Sequence, residues 1–299
     1  MKRVIVTGAN GFIGSSLIKK LVEKGIEIVA IDLSFAISRL PKSNLITKIE
    51  SGVDAALAET IPAGEYEAFY HLAWRGINGA EKADPIVQLT NIRMTIDCAN
   101  VCKQLGVKKL LCAGTVAENA TYSLPHLSQT NGGMMYGVAK HACNLIVENY
   151  CKNIGLPFVW MQFSNIYGVG NKTGNLVSYT LGELMAGKEA IFGPAQQPYD
   201  FIYVDDLIEA VYRLGVNDTP KSFYYIGSGC PRKLADYLIR IGKLAGFDDK
   251  VGIGFRADDG IKYTMDMFDN SDLVSAVGNY VTTTFDDGIV KTIEWLRTL

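Results

Sequence analysis

The segment Val4-Ile5-Val6-Thr7-Gly8-Ala9-Asn10-Gly11-Phe12-Ile13-Gly14 commits the start of this chain to one kind of local fold. A β-branched run ends at Thr7-Gly8, and two more glycines follow at three-residue intervals. Leu17, Ile18, Leu21 and Val22 then recur with helical spacing. That order predicts a strand, a tight turn and the first turn of a helix. Glycine lets the backbone turn sharply and pass close to a ligand, and the open amides of a helix N-terminus suit a pyrophosphate. The Gly8-x-x-Gly11-x-x-Gly14 spacing differs slightly from the Gly-x-Gly-x-x-Gly of many dehydrogenases, and a glycine triplet alone is a weak signal. Context strengthens it. A second apolar run, Ile26 to Ile31, ends at Asp32, eighteen residues beyond Gly14. A carboxylate at the tip of the second strand accepts from an adenosine ribose 2′-hydroxyl and repels a 2′-phosphate, so NAD is expected over NADP.

The pattern then alternates. Strands are expected at 3–7, 26–32, 44–49, 67–72, 107–113 and 156–163, with helical periodicity clearest in 86–105 and 135–153. Such alternation predicts an α/β fold, a Rossmann-type doubly wound parallel sheet covered on both faces. Glycine and asparagine thicken between 165 and 175, which places a boundary there. Residues 1–165 are expected to form an NAD-binding Rossmann domain. Residues 166–299 are expected to form a smaller mixed α/β substrate domain, with some segments packing back on the first sheet. Its strands are expected at 189–192, 200–204, 222–226 and 251–255, and Leu207, Ala210, Val211 and Leu214 stripe a helix at 205–214. Ligands of open α/β sheets lie beyond the carboxyl ends of the strands, so the residues just after 113 and 163 matter most.

Composition bounds the function. A net charge of −2 gives no electrostatic footprint for nucleic acid, and no apolar run approaches the roughly 20 residues that span a bilayer. The first strand starts within a few residues of Met1, leaving no room for a signal peptide, so a cytoplasmic location is the default expectation. Cys98, Cys102, Cys112, Cys143, Cys151 and Cys230 include no Cys-x-x-Cys pair, and His71, His126 and His141 lack metal-ligand spacing. Buried free thiols and no metal are expected.

Tyr136-Gly137-Val138-Ala139-Lys140 opens the helix predicted at 135–153. Side chains at i and i+4 share a helical face. A phenol with a free pKa near ~10 is a poor base, but an adjacent ammonium and a positively charged nicotinamide favour the phenolate. Tyr136 is then a candidate proton acceptor for a sugar hydroxyl, or a donor in reverse.

Thr7-Gly8-x-x-Gly11-x-x-Gly14, Asp32, His71-Leu72-Ala73 and Tyr136-x-x-x-Lys140 together resemble the extended short-chain dehydrogenases/reductases, the NAD-dependent epimerase/dehydratase family acting on nucleotide sugars. The likeness continues through Asn165-Ile166-Tyr167-Gly168, Gly174-Asn175-Leu176 and Asp200-Phe201-Ile202-Tyr203-Val204-Asp205-Asp206, nearly the whole chain. It implies a catalytic set of Thr115, Tyr136 and Lys140, and NAD held by Gly8, Asn10, Gly11, Phe12, Ile13, Gly14, Asp32, Leu72, Ala73, Tyr136 and Lys140. Asn91 is a candidate support for Lys140 through water, or a surface or cap residue. For a nucleotide-diphosphate sugar the resemblance implies Thr115, Asn165, Asn175, Leu176, Phe192 by the base and Arg256 on the diphosphate. It also implies a homodimer through helices matching 86–105 and 135–153. The chain departs from the family where arginines often stand, at Gln162 and Tyr199, and where Asn119-Ala120 replaces a usual Tyr-Gly.

Dehydratases of this family need an acid–base pair directly after the catalytic threonine. Here Val116 and Ala117 stand there, and Glu118 is one step too far along. A C4 epimerase recycling NAD is the expected activity. A 4-ketoreductase using NAD(P)H is the alternative, suggested by Ala73-Trp74 and the compact 115–136 loop. A non-catalytic NAD-binding sensor would not need the Tyr136/Lys140 pair.

Overall fold

The computed structural model describes residues 1–299 except Gln129 and Asn131. The strands in chain order are β1 (Arg3–Thr7), β2 (Glu27–Asp32), β3 (Ile46–Glu50), β4 (Ala68–His71), β5 (Leu110–Thr115), β6 (Phe158–Phe163), β7 (Asn165–Tyr167), β8 (Ala190–Ile191), β9 (Pro198–Tyr199), β10 (Phe201–Tyr203), β11 (Phe223–Ile226), β12 (Arg232–Lys233) and β13 (Val251–Gly252). The α-helices are α1 (Phe12–Glu23), α2 (Leu57–Thr60), α3 (Pro85–Leu105), α4 (Met134–Ile154), α5 (Leu176–Met185), α6 (Val204–Val216), α7 (Leu234–Ala245), α8 (Ser271–Val277) and α9 (Phe285–Leu296).

Seven strands form one parallel sheet in the order β11-β6-β5-β4-β1-β2-β3. Period-2 alternation divides its residues between two cores. Val4 and Val6 of β1, Ala30 of β2 and Met161 of β6 face α1 and α6 through Leu17, Leu21, Leu207 and Val211. Ile5, Val29, Phe69 and Trp160 face the other way, onto Cys98 and Val101 of α3 and Cys143 and Val147 of α4. The strand order reverses between β1 and β4, which opens the crevice there.

Segments beyond residue 165 return to this sheet. Phe223–Ile226 pair in parallel with Trp160–Phe163, and α6 packs on α1. The remaining second-half strands form three small pairs, β7 with β10, β8 with β13 and β9 with β12. The short strands β7, β9 and β12 lie outside the expected ones, and β13 ends at Gly252 rather than 255. β5 runs over 110–115 rather than 107–113, because Gly106 ends α3 in the left-handed conformation and the Val107 amide donates back to Cys102. Thr115 is therefore the last residue of the strand.

Immediately beyond β5, a 3₁₀ segment at Val116–His126 starts with a capping box, in which Glu118 accepts from the Thr115 amide at 2.6 Å. The Glu118 carboxyl is buried, and Trp160 Nε1 donates to both its oxygens at 3.1 Å. Gln162 Nε2 adds a longer contact at 3.4 Å. Burial pushes this carboxyl up to about 7, against the pull of the Thr115 amide, Lys140, Trp160 and Gln162. Its proton is thus held more tightly in the folded chain than in the unfolded one, near 4.5. The associated stability is complete below the unfolded value and is lost as pH rises through the folded one. We expect urea unfolding between pH 5 and 7.5 to show wild-type stability falling on the order of 2 kcal/mol, and Glu118→Gln to lack this decline. An unchanged slope in the variant would assign the titration to another group.

Candidate active site

The carboxyl ends of β1, β2, β4, β5 and β6 and the start of α5 enclose a cleft of about 890 Å³. Its first end is built by the glycine turn. Gly8 has φ +66°, and a β-carbon there would lie 2.7 Å from the Ala73 nitrogen. One at Gly14 would lie 2.1 Å from the Gly8 carbonyl oxygen, so only glycine lets α1 close onto the turn. Gly11 caps α1 without a side-chain hydrogen bond, and the amides of Phe12, Ile13 and Gly14 find no acceptor among the described residues. These groups fit a dinucleotide pyrophosphate.

Asp32 lines the same end at the tip of β2. Its oxygens accept from the amides of Asn10 and Leu33, both at 2.8 Å, and a carboxylate retains lone pairs for a ribose hydroxyl. Asn10 departs from expectation and does not line the cleft. Its Nδ2 donates to the carbonyls of Ser34 and Ile37 at 3.0 Å, and its Oδ1 accepts from the Arg39 amide at 2.8 Å. The side chain fastens the loop after β2, while its amide orients Asp32. Gly8, Gly11, Phe12, Ile13, Gly14, Leu72 and Ala73 all line the cleft. His71 instead spans Thr7 Oγ1 at 2.8 Å and Thr95 Oγ1 at 3.2 Å, and burial pushes its imidazole down to about 3. It is a neutral packing residue tying β1 to β4 and α3.

The second end gathers Thr115, Tyr136 and Lys140, all lining the cleft. Gly137 makes this possible, since a β-carbon there would meet the Ala117 carbonyl at 2.3 Å and hold α4 away from the loop after β5. The expected lowering of the tyrosine pKa by lysine is not what the unliganded geometry gives. Burial raises the Tyr136 phenol well above its usual value, a hydrogen bond with the Thr115 side chain opposes this, and Glu118 adds to it. Lys140 is turned elsewhere. Its Nζ donates to the Ala113 carbonyl at 2.5 Å and lies 3.6 Å from the centroid of the Trp74 ring. Burial holds its ammonium down to about 8. Asn91 pairs both ways with the Arg75 backbone, at 2.9 and 2.8 Å, and so fixes the turn that carries Trp74.

At the third end, Asn165, Asn175 and Leu176 line the cleft. Asn165 Nδ2 donates to the Asp200 carbonyl at 3.0 Å. Asn175 caps α5 by accepting from Ser178 N at 2.8 Å and donates to the Ile166 carbonyl at 2.7 Å. Phe192 and Arg256 do not line the cleft. Phe192 is buried, edge-on to Tyr179 at 5.8 Å, and the exposed Arg256 donates through Nη2 to the Tyr179 hydroxyl at 2.8 Å. Apolar burial draws the ring inward, and the tyrosine engages the guanidinium. Gln162, where an arginine often stands, is buried on Glu118, and Tyr199 lines the cleft.

Trp74 and Lys82 also line the cleft. Trp74 directly follows the His71-Leu72-Ala73 motif, which was a signal of its position, whereas Lys82 carried none. Cys230 is exposed rather than buried, because it lies in the turn before β12, and the other five thiols are buried and free. Among the described residues no His, Cys, Asp or Glu cluster could hold a metal, and no helix is long and apolar enough to cross a membrane.

Residues 4–227 match the NAD-dependent epimerase/dehydratase family. A UDP-glucose 4-epimerase of Mycolicibacterium smegmatis is 24% identical over 312 residues, covering 99% of this chain and 98% of that protein. Among solved structures, the UDP-glucose 4-epimerase of Thermotoga maritima with UDP-glucose superposes with a TM-score of 0.81 at 22% identity, covering 99% of each chain. The Bordetella bronchiseptica enzyme WbmF in complex with NADH gives 0.82 at 23% identity, covering 99% of this chain and 92% of that one. With its glycine turn, Asp32 and the Thr115–Tyr136–Lys140 set on one cleft, this chain belongs to the NAD-dependent epimerase/dehydratase family, the extended short-chain dehydrogenases/reductases that act on nucleotide sugars.

Proposed function

We propose that this protein is a nucleotide-sugar C4 epimerase that keeps its NAD and uses it in both directions. One observation carries the choice of reaction. Asp32 is the lone carboxylate among the described residues lining the cleft, and it stands at the ribose end. Around Tyr136 there is a phenol, a hydroxyl and ammonium groups, with no acid–base pair to expel water. Glu118, the carboxyl nearest Thr115 in sequence, is buried beneath it and does not line the cleft. Dehydration is therefore disfavoured, and proton exchange at a single sugar oxygen is what these groups suit.

In this reading Gly8, Gly11 and Gly14, with the α1 amides, hold the NAD pyrophosphate, and Asp32 holds the adenosine ribose. When bound, NAD supplies a hydride acceptor and donor at the sugar carbon. As the phenolate that the positive charge of a bound nicotinamide would favour, Tyr136 takes the proton of the 4-hydroxyl and later returns it to the same oxygen. Thr115 hydrogen-bonds that oxygen and fixes its distance from the phenol. Lys140, neutral or charged near physiological pH because burial has lowered its pKa, faces the cleft beside both. Asn165, Asn175 and Leu176 border the path of the nucleotide diphosphate.

Trp74 favours a second reading. Its indole fills the space above Lys140 and stands edge-on to Tyr136 at 6.3 Å. An epimerase must present both faces of its 4-keto sugar, and a bulky ring here suits a 4-ketoreductase that needs one. Incubation with a panel of nucleotide sugars, with and without NADH, separates them. C4 inversion without added NADH supports epimerisation, and consumption of stoichiometric NADH by a 4-keto sugar supports reduction.

Ile86 and Leu89 of α3 and Leu145 and Ile146 of α4 are exposed on two adjacent helices, which supports a homodimer through this face. The native chain is expected to sediment as a dimer and the Leu89→Glu/Leu145→Glu double variant as a monomer. A dimeric double variant would place the interface elsewhere.

Tyr136→Phe retains the ring against Trp74, so it should fold and bind NAD while losing at least about 100-fold in turnover. Near-normal turnover would remove Tyr136 from proton transfer. Asp32→Ser should weaken NAD binding about 10-fold or more and narrow the preference against NADP, because a charge-assisted hydrogen bond and a repulsive charge are both lost. Unchanged dissociation constants for the two cofactors would show that Asp32 does not hold the ribose.

A further inference from the structure

The charges along the cleft are unevenly spread. Asp32 stands alone at the ribose end, while Arg75, Lys82 and Lys140 gather near Tyr136. Two of these cations are accounted for. Arg75 is ion-paired with Glu81, and Lys140 lies between the Ala113 carbonyl and the Trp74 ring. Lys82 is not. It is half-buried and has neither a carboxylate nor a hydrogen-bond acceptor for its ammonium among the described residues. That ammonium stands over the Tyr136 ring, 5.6 Å from its centroid.

The segment that carries Lys82 is anchored from within. Buried Gln88 donates through Nε2 to the carbonyls of Gly76 at 2.9 Å and Glu81 at 3.1 Å, and its Oε1 accepts from Trp74 Nε1 at 2.9 Å. Asp84 then caps α3 through the amides of Ile86 and Val87. An ammonium withdrawn from water without a counter-charge is costly, and burial accordingly holds the Lys82 pKa below its usual value. A bound anion would remove that cost. The diphosphates of cofactor and substrate are provided for elsewhere, by the glycine turn and the start of α5. An anion at Lys82 would instead lie beside the reacting sugar.

We propose that Lys82 is a specificity residue that pairs with a carboxylate on the reacting sugar, making nucleotide uronates the substrate class. This rests on the nucleotide-sugar reading above. An ammonium is a point charge with three donors, suited to a carboxylate but giving little selectivity for a neutral hydroxymethyl group at the same carbon.

The test measures binding separately from turnover. NAD-loaded protein is titrated calorimetrically with UDP, UDP-glucose and UDP-glucuronate. The wild type should bind UDP-glucuronate about 10-fold or more tightly than UDP-glucose. Lys82→Met should bring the two to parity while leaving affinity for UDP unchanged, and Lys82→Arg should recover part of the preference. Equal affinities in the wild type, or a preference that survives Lys82→Met, would overturn the inference. A loss of UDP affinity in Lys82→Met would overturn it too, by showing a role outside the sugar. Binding of none of the three would overturn the nucleotide-sugar reading itself, and this inference with it.

Discussion

The close passage of the Gly8 backbone against Leu72 and Ala73 is the constraint from which the site follows. At that point β1 and β4 end side by side, and the chain, having built β2 and β3 in one direction, has crossed to build the sheet in the other. A side chain at Gly8 would force the two strand ends apart, and one at Gly14 would push α1 off the turn. Both faces of the sheet are packed by helices, so such a displacement could not be absorbed locally. With the contact intact, the α1 amides, Asp32 and Thr115 all open onto one cleft.

The chemical end of that cleft is governed by burial more than by attraction between its charged groups. Tyr136, Lys140 and Glu118 are each shifted toward the neutral form, the phenol and carboxyl upward and the ammonium downward. Glu118 also has a mechanical role. By accepting from the Thr115 amide and from Trp160 on the adjacent strand, it fixes the backbone that aims the threonine hydroxyl. Gln162 and Asn119, which stand where the family resemblance implies an arginine and a tyrosine, are buried beside this acid, with Gln162 Nε2 donating to Glu118 and to Asn119. That network keeps its polar groups inside the protein, off the cleft lining.

Polar groups are engaged within the protein at the nucleotide end too. Asn165 and Asn175 have their amides committed to backbone groups, and Arg256 is engaged by Tyr179. The ammonium groups of Lys82 and Lys140 stand instead at the Tyr136 end of the cleft.

The sequence by itself determined the parallel sheet, its glycine turn and the shared helical face of Tyr136 and Lys140, because each rests on local rules: strand alternation, glycine spacing, and helical i to i+4 projection; Thr115 entered only through the family resemblance. By the family resemblance, Val116 and Ala117, which carry no titratable group, stand where dehydratases have their acid–base pair. Tertiary structure decided the rest. Asn10 and Arg256 look like ligand residues in sequence, but their hydrogen-bonding groups are engaged by distant partners in the chain. Lys140 acts on Ala113 and Trp74 instead of the phenol, and Phe223–Ile226 crosses the apparent domain boundary to extend the first sheet. Lys82 sits in a segment with no motif at all. Its meaning depends on which charges surround it, and the surrounding of a charge is set by residues far away in sequence.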